Sequence, residues 1–154
     1  MIQLERILVA TDFSDHSRVA LQYGVELAKA FQAELILFHA VERPDMISQI
    51  PPAGEGYFPP NYQEIQEQQA QAECERMIGE SGLSSGRIII STGSPFVEII
   101  RVAREENVDL IIVGTHGRGA IIHLLLGSVA EKVVRKAPCP VLTVRHGEHE
   151  FVMP

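Results

Sequence analysis

The chain has 154 residues, of which 45% are hydrophobic and 21% charged, with a formal net charge of −7. This length and composition predict one globular domain with a full core. The acidic balance disfavours nucleic acid or an anionic membrane as a partner, so any anion must be bound by local groups. The N-terminus has no secretion signal, and no stretch is apolar for long enough to span a membrane.

The two cysteines, Cys74 and Cys139, form no C-x-x-C motif and have no histidine pair at metal spacing nearby. Two reduced, structural thiols are typical of a cytosolic protein. We therefore predict a cytoplasmic location.

The first strand and the first helix are predicted at the start of the chain. Arg6–Ala10 is an apolar run without alternation, which predicts a strand that is buried on both faces. Ser14 is predicted to cap a helix that has Asp15 in its first turn and extends to about Gln32. Apolar positions recur along it at helical spacing: Ala20, Tyr23, Leu27, Ala28 and Phe31.

A second buried strand, Glu34–Ala40, precedes a loop over residues 42–61 that contains five prolines and two glycines. Loops of this length are usually functional or mobile. The segment from Tyr62 to about Ser81 predicts a helix that Gly82 ends. Its thin apolar stripe runs through Ile65, Ala72 and Met77.

The remaining elements follow in chain order: strand Arg87–Ser91, helix Pro95 to about Asn107, strand Leu110–Val113, helix Ser128–Lys136 and strand Val141–Val144. Ser94 as N-cap with proline at the first helical position is a strong start signal. Pro138 and Pro140 prevent the last helix from continuing. Residues 146–154 are predicted to be a poorly ordered, flexible tail, which leaves residues 1–145 as a single domain.

The alternation of strands and helices predicts an α/β fold, a five-stranded parallel sheet with helices on both faces. Ligands of such sheets bind beyond the carboxyl ends of the strands, at the topological switch point. The segments to inspect are therefore Ala10–Asp12, His39–Val41 and Val113–Gly114.

A glycine-rich stretch follows the fourth strand and leads into the last helix, with the spacing Gly114-x2-Gly117-x9-Gly127-Ser128. No lysine follows Gly119, which excludes a P-loop, and the first strand lacks the glycines of a dinucleotide fingerprint. Glycines allow close approach of a phosphate, and a helix N-terminus offers unpaired N–H groups. The pattern favours a phosphate cradle, although glycines that only turn the chain and a serine that only caps a helix remain the alternative.

The sequence resembles the universal stress protein family in these glycines and in three further stretches: ILVATDFSDHS, TGSPFVEIIRVAREENVDLIIVGTHGR and APCPVLTV. The resemblance extends over roughly residues 7–144, and the glycine signature is that of the ATP-binding branch. It implies a Rossmann-like sheet of the adenine nucleotide alpha hydrolase-like type, with strand order 3-2-1-4-5. It also implies ATP with Mg²⁺ as cofactors, the metal being held through the phosphates without protein ligands. The family resemblance further implies a homodimer through the last strand, Val141, Leu142, Thr143 and Val144.

The resemblance implies a role for each part of the site. Asp12, beside Thr11, lies by the ribose hydroxyls, and Ala40 presents backbone groups to adenine where relatives often have valine. Val113 and Gly114 flank the nucleoside. The phosphates are bound, largely through backbone N–H groups and the Ser128 hydroxyl, by Gly117, Gly127, Ser128 and Val129. An aspartate that only caps a turn is the alternative for Asp12. His116 and Arg118 either neutralise phosphate charge or are solvated.

The other histidines carry weaker signals. His39 is predicted to be a satisfied core histidine, and His123 lies in an apolar patch that packs on the domain or on a partner. His146 and His149 with two glutamates resemble a metal cluster only loosely.

The sequence contains no catalytic set, neither a nucleophile motif nor paired carboxylates near the loop. We therefore predict an ATP-binding stress or signalling module with slow or no hydrolysis. Two alternatives remain open: a slow ATPase or phosphotransfer enzyme, and a protein-interaction module whose pocket is empty of nucleotide. A further, unidentified protein partner is compatible with each hypothesis.

Overall fold

The computed structural model describes residues 1–43, 59–116 and 126–147. Its five strands are β1 (Arg6–Ala10), β2 (Glu34–Val41), β3 (Arg87–Thr92), β4 (Leu110–Gly114) and β5 (Val141–Val144). Its four helices are α1 (Asp15–Phe31), α2 (Tyr62–Glu80), α3 (Pro95–Glu105) and α4 (Ser128–Lys136). The strands and helices predicted from the sequence are confirmed, with ends that differ by at most two residues.

The strands form one parallel sheet in the order β3-β2-β1-β4-β5, as predicted. In the centre, Leu8 of β1 pairs with Ile36 of β2 and with Ile111 of β4. The chain leaves β1 toward one side for β2 and β3 and returns to the other side for β4 and β5. The switch point therefore lies between β1 and β4, where the carboxyl ends of two adjacent strands diverge.

Two apolar layers cover the sheet. Ile7, Val9 and Ile112 face α1 and α2, whereas Leu8 and Ile111 face α3 and α4. Successive side chains of a strand point to opposite faces, so each central strand contributes to both layers. This two-sided burial explains why the strand sequences are continuous apolar runs.

The helix faces were predicted less well than the helices themselves. On α1, Tyr23 is 48% and Phe31 42% exposed, and the buried face contains Gly24 and Val25 instead. On α2, Ala72 is exposed, and the buried residues are Ala70, Cys74 and Met77. The apolar stripes drawn through Tyr23, Phe31 and Ala72 therefore miss part of each buried face, which includes Gly24 on α1 and Cys74 on α2.

Helix ends agree closely with the sequence signals. Ser14 caps α1, since its Oγ accepts the backbone N–H of Ser17 at 3.3 Å. Ser94 occupies the N-cap of α3 ahead of Pro95, although its side chain makes no capping hydrogen bond. Gly82 has a φ of +75° just beyond α2, a backbone conformation that glycine adopts readily. None of the described helices is long and apolar enough to cross a membrane.

Candidate functional site

A cleft of about 920 Å³ opens at the carboxyl ends of β1, β2 and β4. Its floor is formed by the last residues of these strands, and α2, α3 and the start of α4 form its walls. A volume of this size is at the upper end of the range for small-molecule sites. The switch point of the sheet therefore coincides with a cleft that is large enough for a small-molecule ligand.

Eight of the ten site residues predicted from the sequence line this cleft: Thr11, Asp12, Ala40, Val113, Gly114, Gly127, Ser128 and Val129. Gly117 and Arg118 lie outside the described residues, as do most of the 42–61 loop, His123, His149 and residues 148–154. The structure thus brings together segments that are more than 100 residues apart in the chain. What each residue binds stays a prediction.

Thr11 is 6% exposed and holds the turn that follows β1. Its Oγ1 accepts the backbone N–H of Phe13 at 3.0 Å and lies 2.9 Å from the hydroxyl of Ser17. Its carbonyl oxygen lies 2.8 Å from Nδ1 of His39. Thr11 therefore supports the floor of the cleft from beneath rather than presenting a free hydroxyl.

Asp12 is fixed by the start of α1. Its Oδ1 accepts hydrogen bonds from both the backbone N–H (3.0 Å) and the hydroxyl of Ser14. These bonds fix the carboxylate in a residue that lines the cleft. The same geometry fits both predictions for Asp12, since a turn-capping carboxylate can also accept hydrogen bonds from a diol.

Sequence reasoning missed Phe13 and the contribution of α2. Phe13 has a φ of +66°, and its ring stacks on His39 with centroids 4.3 Å apart. A non-glycine residue in this conformation is uncommon, and such residues concentrate at functional sites. The polar face of α2 supplies further lining residues: Tyr62, Gln66, Gln69 and Glu73. Only the glutamine-rich composition of α2 could have signalled a helix side that faces a wet cleft.

Two of the signature glycines are required by packing of the protein itself. A Cβ atom on Gly114 would lie 2.9 Å from Cβ and 3.0 Å from the carbonyl carbon of His16. A Cβ atom on Gly127 would lie 2.9 Å from the carbonyl oxygen of Thr115 and 3.4 Å from Cα of His116. The absence of side chains at these positions lets the N-termini of α1 and α4 approach the end of β4.

The N-terminus of α4 opens into the cleft. Gly127 is the N-cap, and its N–H donates to the carbonyl of Thr115. Among the described residues, no acceptor takes the N–H groups of residues 128–130. Ser128 and Val129 line the cleft, and Val129 is 37% exposed. Unpaired N–H groups and the positive end of the helix dipole favour an anion at this point.

Of the three described carboxylates that line the cleft, Asp12, Glu42 and Glu73, two are engaged by neighbouring side chains. Hydrogen bonds from Arg76 lower the pKa of Glu73, and the ion pair with Arg18 (2.9 Å) lowers it further. Asp12 is held by Ser14. Within the described segments, no three histidine, cysteine, aspartate or glutamate side chains are arranged to hold a metal ion.

The fold and the cleft define a class: a doubly wound α/β domain with an anion-favouring helix start at its switch point. The family model described as "Universal stress protein family" matches residues 3–145. The chain belongs to the universal stress protein family.

Similar proteins extend over nearly the whole chain. A universal stress protein of Thermus aquaticus is 37% identical over 140 residues, which cover 90% of this chain and 97% of that protein. Universal stress protein MJ0577 of Methanocaldococcus jannaschii has a solved structure with a TM-score of 0.73 and 29% identity, covering 96% of this chain and 100% of that one. A universal stress protein solved in complex with cAMP has a TM-score of 0.67 and 26% identity, covering 95% and 100% respectively.

Proposed function

We propose that the chain is an ATP-binding regulatory or stress-response module that hydrolyses ATP slowly or not at all. The observation that carries the proposal is the opening of the α4 N-terminus into the switch-point cleft, beside the sequence-predicted residues of β1 and β4. The related protein bound to cAMP supports an adenine nucleotide as the ligand class. ATP then stabilises the nucleotide-bound conformation by binding linkage, which gives a regulator its two states.

In this proposal the nucleotide extends across the carboxyl ends of the strands. Asp12 accepts hydrogen bonds from the ribose hydroxyls, and Ala40 at the end of β2 offers backbone groups to adenine. Val113 and Gly114 flank the nucleoside. The phosphates lie against Gly127 and at the N–H groups of Ser128 and Val129, with Gly117 and Arg118 contributing from outside the described residues. Mg²⁺ is held through the phosphate oxygens.

Slow hydrolysis is expected from the state of two cleft carboxylates, Glu73 and Asp12. A general base works best when its pKa lies near the working pH, and the pKa of Glu73 is shifted the opposite way by its arginine partners. Asp12 already accepts hydrogen bonds from Ser14 and, in this proposal, binds the ribose hydroxyls. We expect phosphate release below ~1 turnover per minute, far under ordinary enzyme turnover. Release at or above that rate favours the slow-ATPase alternative.

The placement of the phosphates can be tested with a matched pair of substitutions. Val129→Glu adds a carboxylate at the exposed second position of α4, inside the cleft. Val97→Glu makes the same change in the first turn of α3, at a residue that is 47% exposed and outside the cleft lining. A glutamate in a first turn suits the helix dipole, so both variants keep their stability.

Calorimetric titration with Mg-ATP compares the two variants with the wild type. A carboxylate at position 129 repels the phosphates, so we expect Val129→Glu to bind at least about tenfold more weakly. Val97→Glu is expected to bind like the wild type. Equal affinity in all three proteins would show that the phosphates are not at α4. If the wild type binds no ATP at millimolar concentration, the nucleotide function is wrong and the interaction-module alternative is favoured.

We also propose a cytoplasmic homodimer that pairs through β5. Cys74 and Cys139 are free thiols, which suits a reducing compartment. In the described part of the sheet, β5 pairs with β4 on one side only and is the last strand in the order. An edge strand can pair with a second copy. Light scattering after size-exclusion chromatography tests this proposal, and a monomer mass at micromolar concentration would contradict it.

A further inference from the structure

Three histidines from distant parts of the chain meet beside the cleft and are here called the histidine cluster: His16 on α1, His116 after β4 and His146 after β5. The ring centroid of His16 lies 5.4 Å from that of His116 and 5.5 Å from that of His146. The backbone N–H of His146 donates to Nδ1 of His16 at 3.3 Å. Neither the proposed ATP contacts nor the sequence reasoning account for this arrangement.

The cluster lies at the phosphate end of the proposed site. His116 lines the cleft, and its Cα is 3.4 Å from the position that a Cβ on Gly127 would take. It is therefore adjacent to the N-terminus of α4. His16 packs with its backbone against Gly114, and neither His16 nor His146 lines the cleft. A ligand can thus contact His116 directly, while the other two rings act on it through space.

The rings restrict each other's charge. Burial lowers the pKa of His16, and the neighbouring His116 and His146 lower it further, against the opposing effect of Asp12 and Asp15. Nδ1 of His116 lies 3.1 Å from the hydroxyl oxygen of Thr115. Charged residues on the other neighbouring elements are Glu131 in the first turn of α4 and Arg145 before His146. Positive charge on one ring therefore disfavours charge on the next, until an anion is added.

The chemistry of the cluster favours a role in proton binding over a role in metal binding. In the part of the chain that the structure describes, the three rings are not arranged to ligate one ion. One nitrogen of His16 is already occupied by the N–H of His146. Histidine is the side chain whose charge an adjacent anion can change within the physiological pH range, since free imidazole has a pKa of about 6.5.

We propose that the histidine cluster is a proton-linked subsite for the terminal phosphates of a nucleoside triphosphate. This inference rests on the proposed function and specifies its ligand and its regulation. Phosphate charge beside His116 stabilises the protonated imidazole, so binding of a triphosphate takes up protons from solution. Preference for a triphosphate over a monophosphate, which does not reach the cluster, increases as the pH falls toward 6.

Titration calorimetry with ATP and with AMP, each in two buffers of different ionisation enthalpy, measures the protons taken up. The ligands' own protonation is the same for every variant, so differences between variants report on the protein. At pH 6.5 we expect the wild type to take up more protons than the variants on binding ATP, with a smaller difference on binding AMP. His116→Asn is expected to lower both this uptake and, by about tenfold, the ratio of ATP to AMP affinity.

His146→Asn separates proton coupling from a structural role. His146 does not line the cleft, so AMP affinity is expected to stay at the wild-type value. Loss of a like-charged neighbour makes the remaining pair easier to protonate, which moves the pH profile of ATP preference to higher pH. A variant that only destabilises the fold would instead lower the affinity for both nucleotides at every pH.

The outcomes distinguish this inference from the proposed function. If both nucleotides bind and proton uptake is identical in the wild type, His116→Asn and His146→Asn, the subsite is refuted while nucleotide binding stands. If neither nucleotide binds, the proposed function fails, and the subsite fails with it.

Discussion

Gly127→Ala tests whether the start of α4 must lie close to the end of β4. Gly127 has a φ of −68° and a ψ of 158°, which any residue can adopt, so alanine causes no backbone strain. The new Cβ, however, would lie 2.9 Å from the carbonyl oxygen of Thr115, whereas ordinary contact begins at 3.4 Å. The helix start and the strand end must therefore separate by about 0.5 Å, the difference between these distances.

This separation lowers the free energy of unfolding. Overpacking costs about 1–3 kcal/mol, and alanine recovers about 0.4–1 kcal/mol by restricting the unfolded chain. We expect a net loss of about 1 kcal/mol, which lowers Tm by roughly 2–4 °C in a domain of this size. Because the N–H groups of residues 128–130 move with the helix, ATP affinity is expected to fall about tenfold, the equivalent of one weakened hydrogen bond to a charged group.

Gly79→Ala is the matched control. Gly79 lies in α2, and a Cβ placed there has no neighbour within 4 Å. Replacing this helical glycine is expected to stabilise the protein by roughly 0.5–1 kcal/mol without changing ATP affinity. Thermal unfolding with and without ATP, together with calorimetric titration, measures both quantities. If Gly127→Ala is as stable as the wild type and binds ATP normally, the close approach of α4 to β4 does not shape the site.

Two further predictions concern the fold. Gly24→Ala should destabilise the protein by about 1–3 kcal/mol, because the new Cβ would lie 2.4 Å from Cγ2 of Val9. This loss should outweigh the helix propensity of alanine and can be measured by urea unfolding. A gain in stability would contradict the packing of α1 on β1. Hydrogen bonds from Arg101 and, to a smaller extent, from Ser91 lower the pKa of Glu98 in the folded protein. The ionised carboxylate therefore stabilises the fold above the pKa of the unfolded state. This stabilisation is lost as the pH falls through the lower pKa of the folded state. The stability difference between the wild type and Glu98→Gln, below about 1 kcal/mol at pH 7, should vanish in acid, and a difference that is independent of pH would contradict this assignment.

The predictable part of the fold is the part that local patterns encode. Five apolar runs and the capping signals at Ser14, Ser94 and Gly82 sufficed to place every described element. The faces of α1 and α2 were harder, because Gly24 and Cys74 pack closely while contributing little to a hydrophobic pattern. On α2 the many glutamines and glutamates leave only three buried residues, so periodicity alone could not select the correct face.

The site, like the fold, has a part that the sequence predicts and a part that it does not. In a parallel sheet the carboxyl ends of the strands share one edge, and this rule brings Asp12, Ala40 and Gly114 together from sequence alone. The histidine cluster could not be predicted, because His16, His116 and His146 meet only through the strand order and the lengths of the elements between them. The stacking of Phe13 on His39 likewise depends on a positive φ that no residue pattern signals.

The glycine signature therefore has two physical causes that the sequence cannot separate. Gly114 was predicted to flank the nucleoside and Gly127 to bind the phosphates, and in the structure each is also the point where a helix start touches the end of β4. Bringing α4 this close is what directs its unpaired N–H groups into the cleft. Packing at these glycines is thus a condition for anion binding and does not compete with it. Substitution of either glycine must disturb both properties, whereas Val129, which is exposed in the same cleft, can be changed to alter binding alone.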